Sequence, residues 1–251
     1  MNRRVLAVAI LLTFTIFPVY WKVYASIDAI QLKSYHSPLL ESYLSELPNR
    51  ELMNSLVYLP ASEFSEEEAA QMIHRVSKIP APILNVLVNQ NVHLYLFKGN
   101  LTDVQGFEHL QGDKPRGYSA KGSNWENVPG IGGSKLVLAK IGHSNKGMGH
   151  GSANLELHEL AHSIDRYVLG NVRLNQTYLS IWKEEAHLLF PEKQYFLHFP
   201  EEYFAEVFAM YYLNEKSRFE IAKNAPKTFL FLKNLEVAPI TKEILLTEIR
   251  H

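Results

Sequence analysis

The 251-residue sequence contains no cysteine. That excludes disulfide bridges, a lipidated cysteine anchor and any metal site built on thiolates, so a bound metal has to be held by His, Asp or Glu. An excess of either charge is also lacking: 25 Lys and Arg against 26 Asp and Glu leave a formal net charge of −1. With no basic block and no aromatic pattern of the RNA-binding type, nucleic acid is not an expected partner. Internal repeats and low-complexity tracts are missing as well. One long apolar run exists, and it stands at the start.

Asn2-Arg3-Arg4 is followed by apolar residues from Val5 to Trp21 and then by Val23-Tyr24-Ala25. A positive start, an apolar stretch and a small residue at its end read as a secretory signal peptide, residues 1–25, cleaved after Ala25. An uncleaved anchor is the rival reading. A spanning helix wants about 20 apolar residues, and Pro18 interrupts this run. Cleavage removes Arg3, Arg4 and Lys22 and no acid, leaving a mildly acidic secreted chain with no electrostatic reason for stable membrane association. The whole sequence is 47% hydrophobic, an ordinary composition for a folded domain, which the remainder, 26–251, would form.

Residues 26–60 read as helical, with apolar residues at helical spacing in "SPLLESYLSEL". "SEEEAAQMIHRVSKIP" predicts a helix with Ser65 as N-cap, Glu68 three residues on, and Pro80 as its stop. "PAPILNVLVNQ" predicts a short helix from Pro82. "VHLYLF" (92–97) and "KLVLAKIG" (135–142) are rich in strand formers and predict two strands, separated by a loop-like stretch from Gly106 to Gly133. A second glycine-rich loop, "HSNKGMGHG", leads to Ser152 as the expected N-cap of a helix carrying "HELAH", which Gly170 ends. His143 and His150 in that loop read as solvent-facing, with His150 within reach of a substrate as the alternative. From Asn171 onward the pattern is helical. Helices, a small sheet, then helices give an α+β fold in which 26–150 hold the first helices and the sheet, and 151–251 carry the site.

"HELAH" is where chemistry enters. Residues i and i+4 of a helix stack on one face, so His158 and His162 can both reach one ion at about 2.0–2.1 Å. Glu159, beside the first ligand, is angled toward a water on that ion, the arrangement metal-assisted hydrolysis needs. Taken blandly, the pair is two ordinary histidines on a helix, and a third ligand decides between the readings. The long metzincin pattern fails, because Val168 stands where its third histidine would be. Asp165 shares the helical face, as a ligand or as a partner that fixes a histidine tautomer. A glutamate in "FPEEYFAEVFAMYY" is the remaining option. Pro200 suits a first helical position. Glu202 and Glu206 are one turn apart on a face with the small residues Ala205 and Ala209, in a helix too apolar to bury unpaired acids cheaply. Glu201 reads blandly as an acid at a helix start.

"HELAHSIDRY", "EYFAEVFAMYY" and "KNAPKTFLFLKN" together resemble the catalytic domain of anthrax lethal factor and its smaller secreted relatives, the bacterial Pro-Pro endopeptidases. The resemblance runs from about Leu84 through "LTDVQGFEHLQGDKPRGY" and "NWENVPGIGG" to the C-terminal region. It implies a zincin-like fold and one zinc ion held by His158, His162 and Glu202, with Glu159 as general base. It implies a role for Tyr195, seven residues before the glutamate ligand, as donor to the oxyanion, and supporting roles for Glu206 and Asp165. It also implies a polypeptide substrate, proline-rich in the Pro-Pro branch. There Trp125 would offer a flat face to a proline ring, and Glu201 matches an acid of that branch. One departure stands out: the branch places a lysine two residues before the tryptophan, whereas this chain has Ser123 there and Lys121 displaced. Strand 135–141 is the expected edge for an extended substrate. The competing expectations are a toxin-like zinc-binding module that binds a partner protein without catalysis, and a zinc hydrolase acting on another substrate class.

Overall fold

The computed structural model describes residues 28–115 and 124–237. The expected signal peptide, residues 1–25, and the Lys121/Ser123 departure lie outside the described residues. The chain runs through β1 (Ala29–Gln31), α1 (Pro38–Tyr43), α2 (Arg50–Leu56), β2 (Val57–Pro60), α3 (Glu66–Ser77), α4 (Ala81–Asn89), β3 (His93–Phe97), β4 (Gly130–Ile131) and β5 (Leu136–Lys140). It continues through α5 (Leu155–Tyr167), α6 (Gln176–Leu189), α7 (Gln194–His198), α8 (Pro200–Leu213), α9 (Glu215–Asn224) and α10 (Pro226–Val237). Among the described residues no helix is long and apolar enough to cross a membrane.

One five-stranded sheet has the order β1-β2-β3-β5-β4. Its centre is parallel, with Leu94 opposite Val137 and Leu96 opposite Ala139, and both outer pairs are antiparallel. Alternation explains the near-continuous apolar character of the two central strands. Leu94, Leu96, Val137 and Ala139 face the large core shared with the helices. Tyr95, Phe97 and Leu138 face a smaller cluster with Leu101, Val104 and Trp125 on the other side. Both faces are covered, so both must be apolar.

Two expectations are corrected here. Residues 26–60 are not helical throughout, because β1 and β2 bracket α1 and α2. "VYLP" is a short apolar run whose helical or extended state depends on its partner, here β3 on one side and β1 on the other. Strand 135–141 is not the edge. β5 lies between β3 and β4, and the two-residue β4 takes the edge next to the site. It was hidden within a glycine-rich stretch that reads as loop.

Candidate metal centre

Helix α5 starts at Asn154, not at the expected Ser152: the Asn154 side chain accepts the Leu157 N–H at 3.0 Å. Its buried face, Leu157, Leu160, Ala161 and Ile164, packs on α8, whose Tyr203, Phe204, Ala205, Val207, Phe208 and Ala209 are all fully buried. The alanines allow close approach, and each buried large side chain contributes about 1.5–3 kcal/mol. Pro200 occupies the first turn of α8, where its missing N–H costs nothing.

That packing brings together three donors distant in sequence. His158, His162 and Glu202 offer ligand atoms all within 4.8 Å of one another. Glu202 Oε2 stands 3.5 Å from His158 Nε2 and 3.4 Å from His162 Nε2. Donors held at about 2.0–2.1 Å around a tetrahedral ion stand about 3.3–3.4 Å apart, so the two measured spacings are those of a tetrahedron's edges. The donor set, two imidazoles and a carboxylate without thiolate, fits a borderline divalent cation of the zinc type.

Electrostatics support a cation there. Burial alone would keep the His158 ring neutral, but Glu202 and Glu206, with Glu159 nearby, push it up to about 10. Burial likewise opposes the charge of Glu202, yet the two imidazoles hold its carboxyl well below the usual carboxylate range. The carboxylates thus demand positive charge in their midst. Behind the ligands, Glu206 Oε2 lies 3.3 Å from His158 Nδ1. The contact is within ion-pair range but is not aligned as a hydrogen bond, and the same carboxylate accepts the Ala153 N–H at 3.1 and 3.2 Å. Asp165 accepts the Val172 N–H at 2.5 Å and so fixes the turn after α5. Burial pushes its carboxyl up to about 6.

Glu159 is half-buried at the mouth of the site. Burial pushes its carboxyl up, and the two imidazoles and the Gly132 backbone N–H pull the other way. The glycines of "VPGIGG" explain how β4 comes so near. A Cβ on Gly132 would lie 2.0 Å from the Glu159 carbonyl oxygen, and one on Gly130 would lie 2.9 Å from the Glu159 side chain. Ser163 staples the same segment to α5, accepting from Gly133 N–H at 3.1 Å and donating to Ser134 O at 2.8 Å. These contacts were not legible in the sequence, although three glycines within four residues were their visible trace.

A cleft of about 760 Å³ opens over this centre. Trp125, Tyr195 and Glu201 all line it, along with His158, Glu159, His162, Asp165 and Glu202. The Tyr195 ring, on the short helix α7, packs 5.3 Å from Phe199 and 6.0 Å from Phe196. Trp125 stands on a helical turn, anchored in the smaller apolar cluster. His150 is corrected from a solvent-facing residue to a half-buried brace. Its ring nitrogens lie 2.7 Å from Ser152 Oγ and 2.7 Å from His143 O, and burial lowers its pKa.

Beneath that loop sits a clamp that sequence reading missed. Arg75 of α3 reaches the fully buried Glu156 at 2.5 Å and Ser144 Oγ at 2.8 Å, while Asn154 donates to Glu156 at 3.1 Å. A buried carboxylate in the first turn of the active helix needed a partner. The partner comes from 81 residues earlier.

A family model described as "Anthrax toxin lethal factor, N- and C-terminal domain" matches residues 44–235. A Pro-Pro endopeptidase of Clostridioides difficile (strain 630) is 38% identical over 187 residues, covering 74% of this chain and 84% of the relative. A Pro-Pro endopeptidase of Paenibacillus alvei is 36% identical over 184 residues, covering 73% and 84%. The solved structure of the Paenibacillus alvei Pro-Pro endopeptidase matches with a TM-score of 0.70 at 36% identity, over 73% of this chain and 99% of that one. The α+β fold, the metal-binding cluster and these likenesses agree: the chain belongs to the anthrax toxin lethal factor family.

Proposed function

We propose that this chain is a secreted zinc metalloendopeptidase that cuts polypeptides at Pro–Pro bonds in proline-rich linkers of exported proteins. The observation that carries the reading is the convergence of His158, His162 and Glu202 on one point, with Glu159 beside them, under an open cleft bordered by an edge strand. The names of the relatives supply the bond class. The apolar start of the sequence, with its positive first residues, supports export.

In this reading His158, His162 and Glu202 hold the ion. Zinc bound there supplies Lewis acidity, lowering the pKa of water toward about 7 and polarising the substrate carbonyl. The chain's own groups do the rest. An extended substrate lies along β4 and takes backbone hydrogen bonds from it, as in strand addition. Glu159 accepts the proton of the attacking water and returns it to the leaving nitrogen. The Tyr195 hydroxyl donates to the oxygen that gains charge as the carbonyl is attacked. Trp125 gives a flat face to a proline ring, and Glu201 borders the substrate. Glu206, fixed by the Ala153 N–H, orients the His158 ring.

The test is a peptide library containing Pro–Pro sequences, incubated with metal-loaded protein and with a chelator control. Cleavage at Pro–Pro that the chelator abolishes is the expected result. Cleavage only at other bonds ends the Pro–Pro assignment, and no cleavage by fully loaded protein ends the peptidase assignment.

A further inference from the structure

Among the described residues the cleft is asymmetric in charge. Arg166, Arg173 and Lys193 line it, and all three are exposed. Arg166 stands in the last turn of α5, Arg173 sits in the turn that follows, and Lys193 stands two residues before Tyr195. Arg166 donates one N–H to the Gly133 carbonyl at 3.0 Å, and its guanidinium lies 5.6 Å from the Tyr167 ring centre, so its charge remains available. Among the described residues no carboxylate comes within ion-pair distance of any of the three. The lining acids offset these cations only in part, and Arg173 is close enough to Asp165 to favour its charged form. Glu159 and Glu202 belong to the metal centre, Asp165 is buried and accepts from Val172, and Glu201 is a single charge. The opposite end presents Trp125, Val128, His150, Gly151 and Ser152. Both His150 ring nitrogens are engaged there, and none of these five carries a permanent charge.

The direction of the edge strand relates this asymmetry to the substrate. Gly130 packs on Leu155 and Glu159, whereas Gly133 lies against His162 and is held by Arg166, so β4 runs alongside α5 in the same sense. An extended chain pairing antiparallel with β4, the commoner arrangement, sets its earlier residues at the Arg166–Arg173 end.

We propose that this end of the cleft selects polypeptides bearing an aspartate or glutamate shortly before the scissile bond. The inference rests on the endopeptidase reading and adds a charge preference to it. Each exposed ion pair is weak, but several cations lining one cleft add their attraction for a carboxylate, and their effect is screened by salt. The expected preference is about two- to tenfold in kcat/KM.

Four Pro–Pro peptides test it, with Glu or Gln placed either two residues before the bond or at the mirrored position after it. The protein is zinc-loaded and full-length after any signal cleavage. Glu before the bond should be favoured over Gln by that factor at low salt, with a ratio near one after the bond. The ratio should fall toward one at about 0.5 M salt, where the screening length shrinks to a few ångström. It should also fall toward one in the Arg173→Gln/Lys193→Gln variant. Equal rates for Glu and Gln before the bond, a preference that appears only after it, or a ratio that survives the double substitution overturns the inference. Absence of cleavage of all four peptides by zinc-loaded protein overturns the endopeptidase reading itself, and this inference with it.

Discussion

Gly132→Ala is the smallest change that should damage catalysis without touching a ligand. The added Cβ would sit 2.0 Å from the Glu159 carbonyl oxygen, 2.7 Å from its carbonyl carbon and 2.9 Å from its Cα. These are backbone atoms in the middle of α5, so no side-chain rotation relieves the clash. The segment just after β4 must move away by about 1 Å or more to reach ordinary contact, drawing β4 with it, in an interior that does not compress. Overpacking of this kind costs about 1–3 kcal/mol of stability. The same movement lengthens the hydrogen bond from Gly132 N–H to the Glu159 carboxylate, which helps hold the base in place. It also shifts the edge on which the substrate lies. A misplacement of about 1 Å at a catalytic group costs on the order of 10²-fold in rate. The assay is kcat/KM on a Pro–Pro peptide, with zinc content and thermal unfolding measured on the same sample. The expected result is a loss of about 10²-fold with zinc still bound and a modestly lowered Tm. A folded, zinc-loaded variant with full activity would show that close packing of β4 on α5 does not position Glu159.

Glu159→Gln should retain its zinc and lose about 10²–10⁴-fold in turnover, measured by metal analysis alongside peptide hydrolysis. Tyr195→Phe should lower kcat by about 10²–10³-fold with little change in KM, since its hydroxyl serves the oxyanion and not the ground state. Burial pushes the Asp165 carboxyl up to about 6 from the 3.8 of an ordinary aspartate, so the native state binds its proton more tightly than the unfolded chain does. Its contribution to stability is therefore full below about pH 4 and is lost as pH rises through about 6. Asp165→Asn should remove that slope, so the variant's Tm relative to the parent should rise between pH 4 and 6, and an unchanged difference would contradict the assignment.

Local signals read well where chemistry and capping are local. The Ser65 cap of α3, the two central strands, Pro200 at the start of α8 and the pair His158/His162 all follow from spacing within a few residues. A buried acid in an apolar helix demands a partner, which singles out Glu202 and Glu206 together; the family resemblance names Glu202, and His158 and His162 stand 3.5 and 3.4 Å from it. What the sequence hides depends on contacts across long separations. β1 is three residues long and owes its existence to β2. β4 consists of a glycine and an isoleucine, and its strand character comes from β5 and from the space that missing side chains leave against α5. The Arg75–Glu156 clamp joins two helices with no motif in either. His150 reads as an ordinary loop residue until its two acceptor and donor partners are in place.

The most direct test of the metal centre is a crystal of the zinc-loaded protein measured at the zinc absorption edge. One anomalous peak is expected, about 2.0–2.2 Å from an imidazole nitrogen of each of His158 and His162 and from the Glu202 carboxylate. A peak coordinated by Asp165 in place of Glu202, or no peak between α5 and α8 in zinc-loaded crystals, would contradict it.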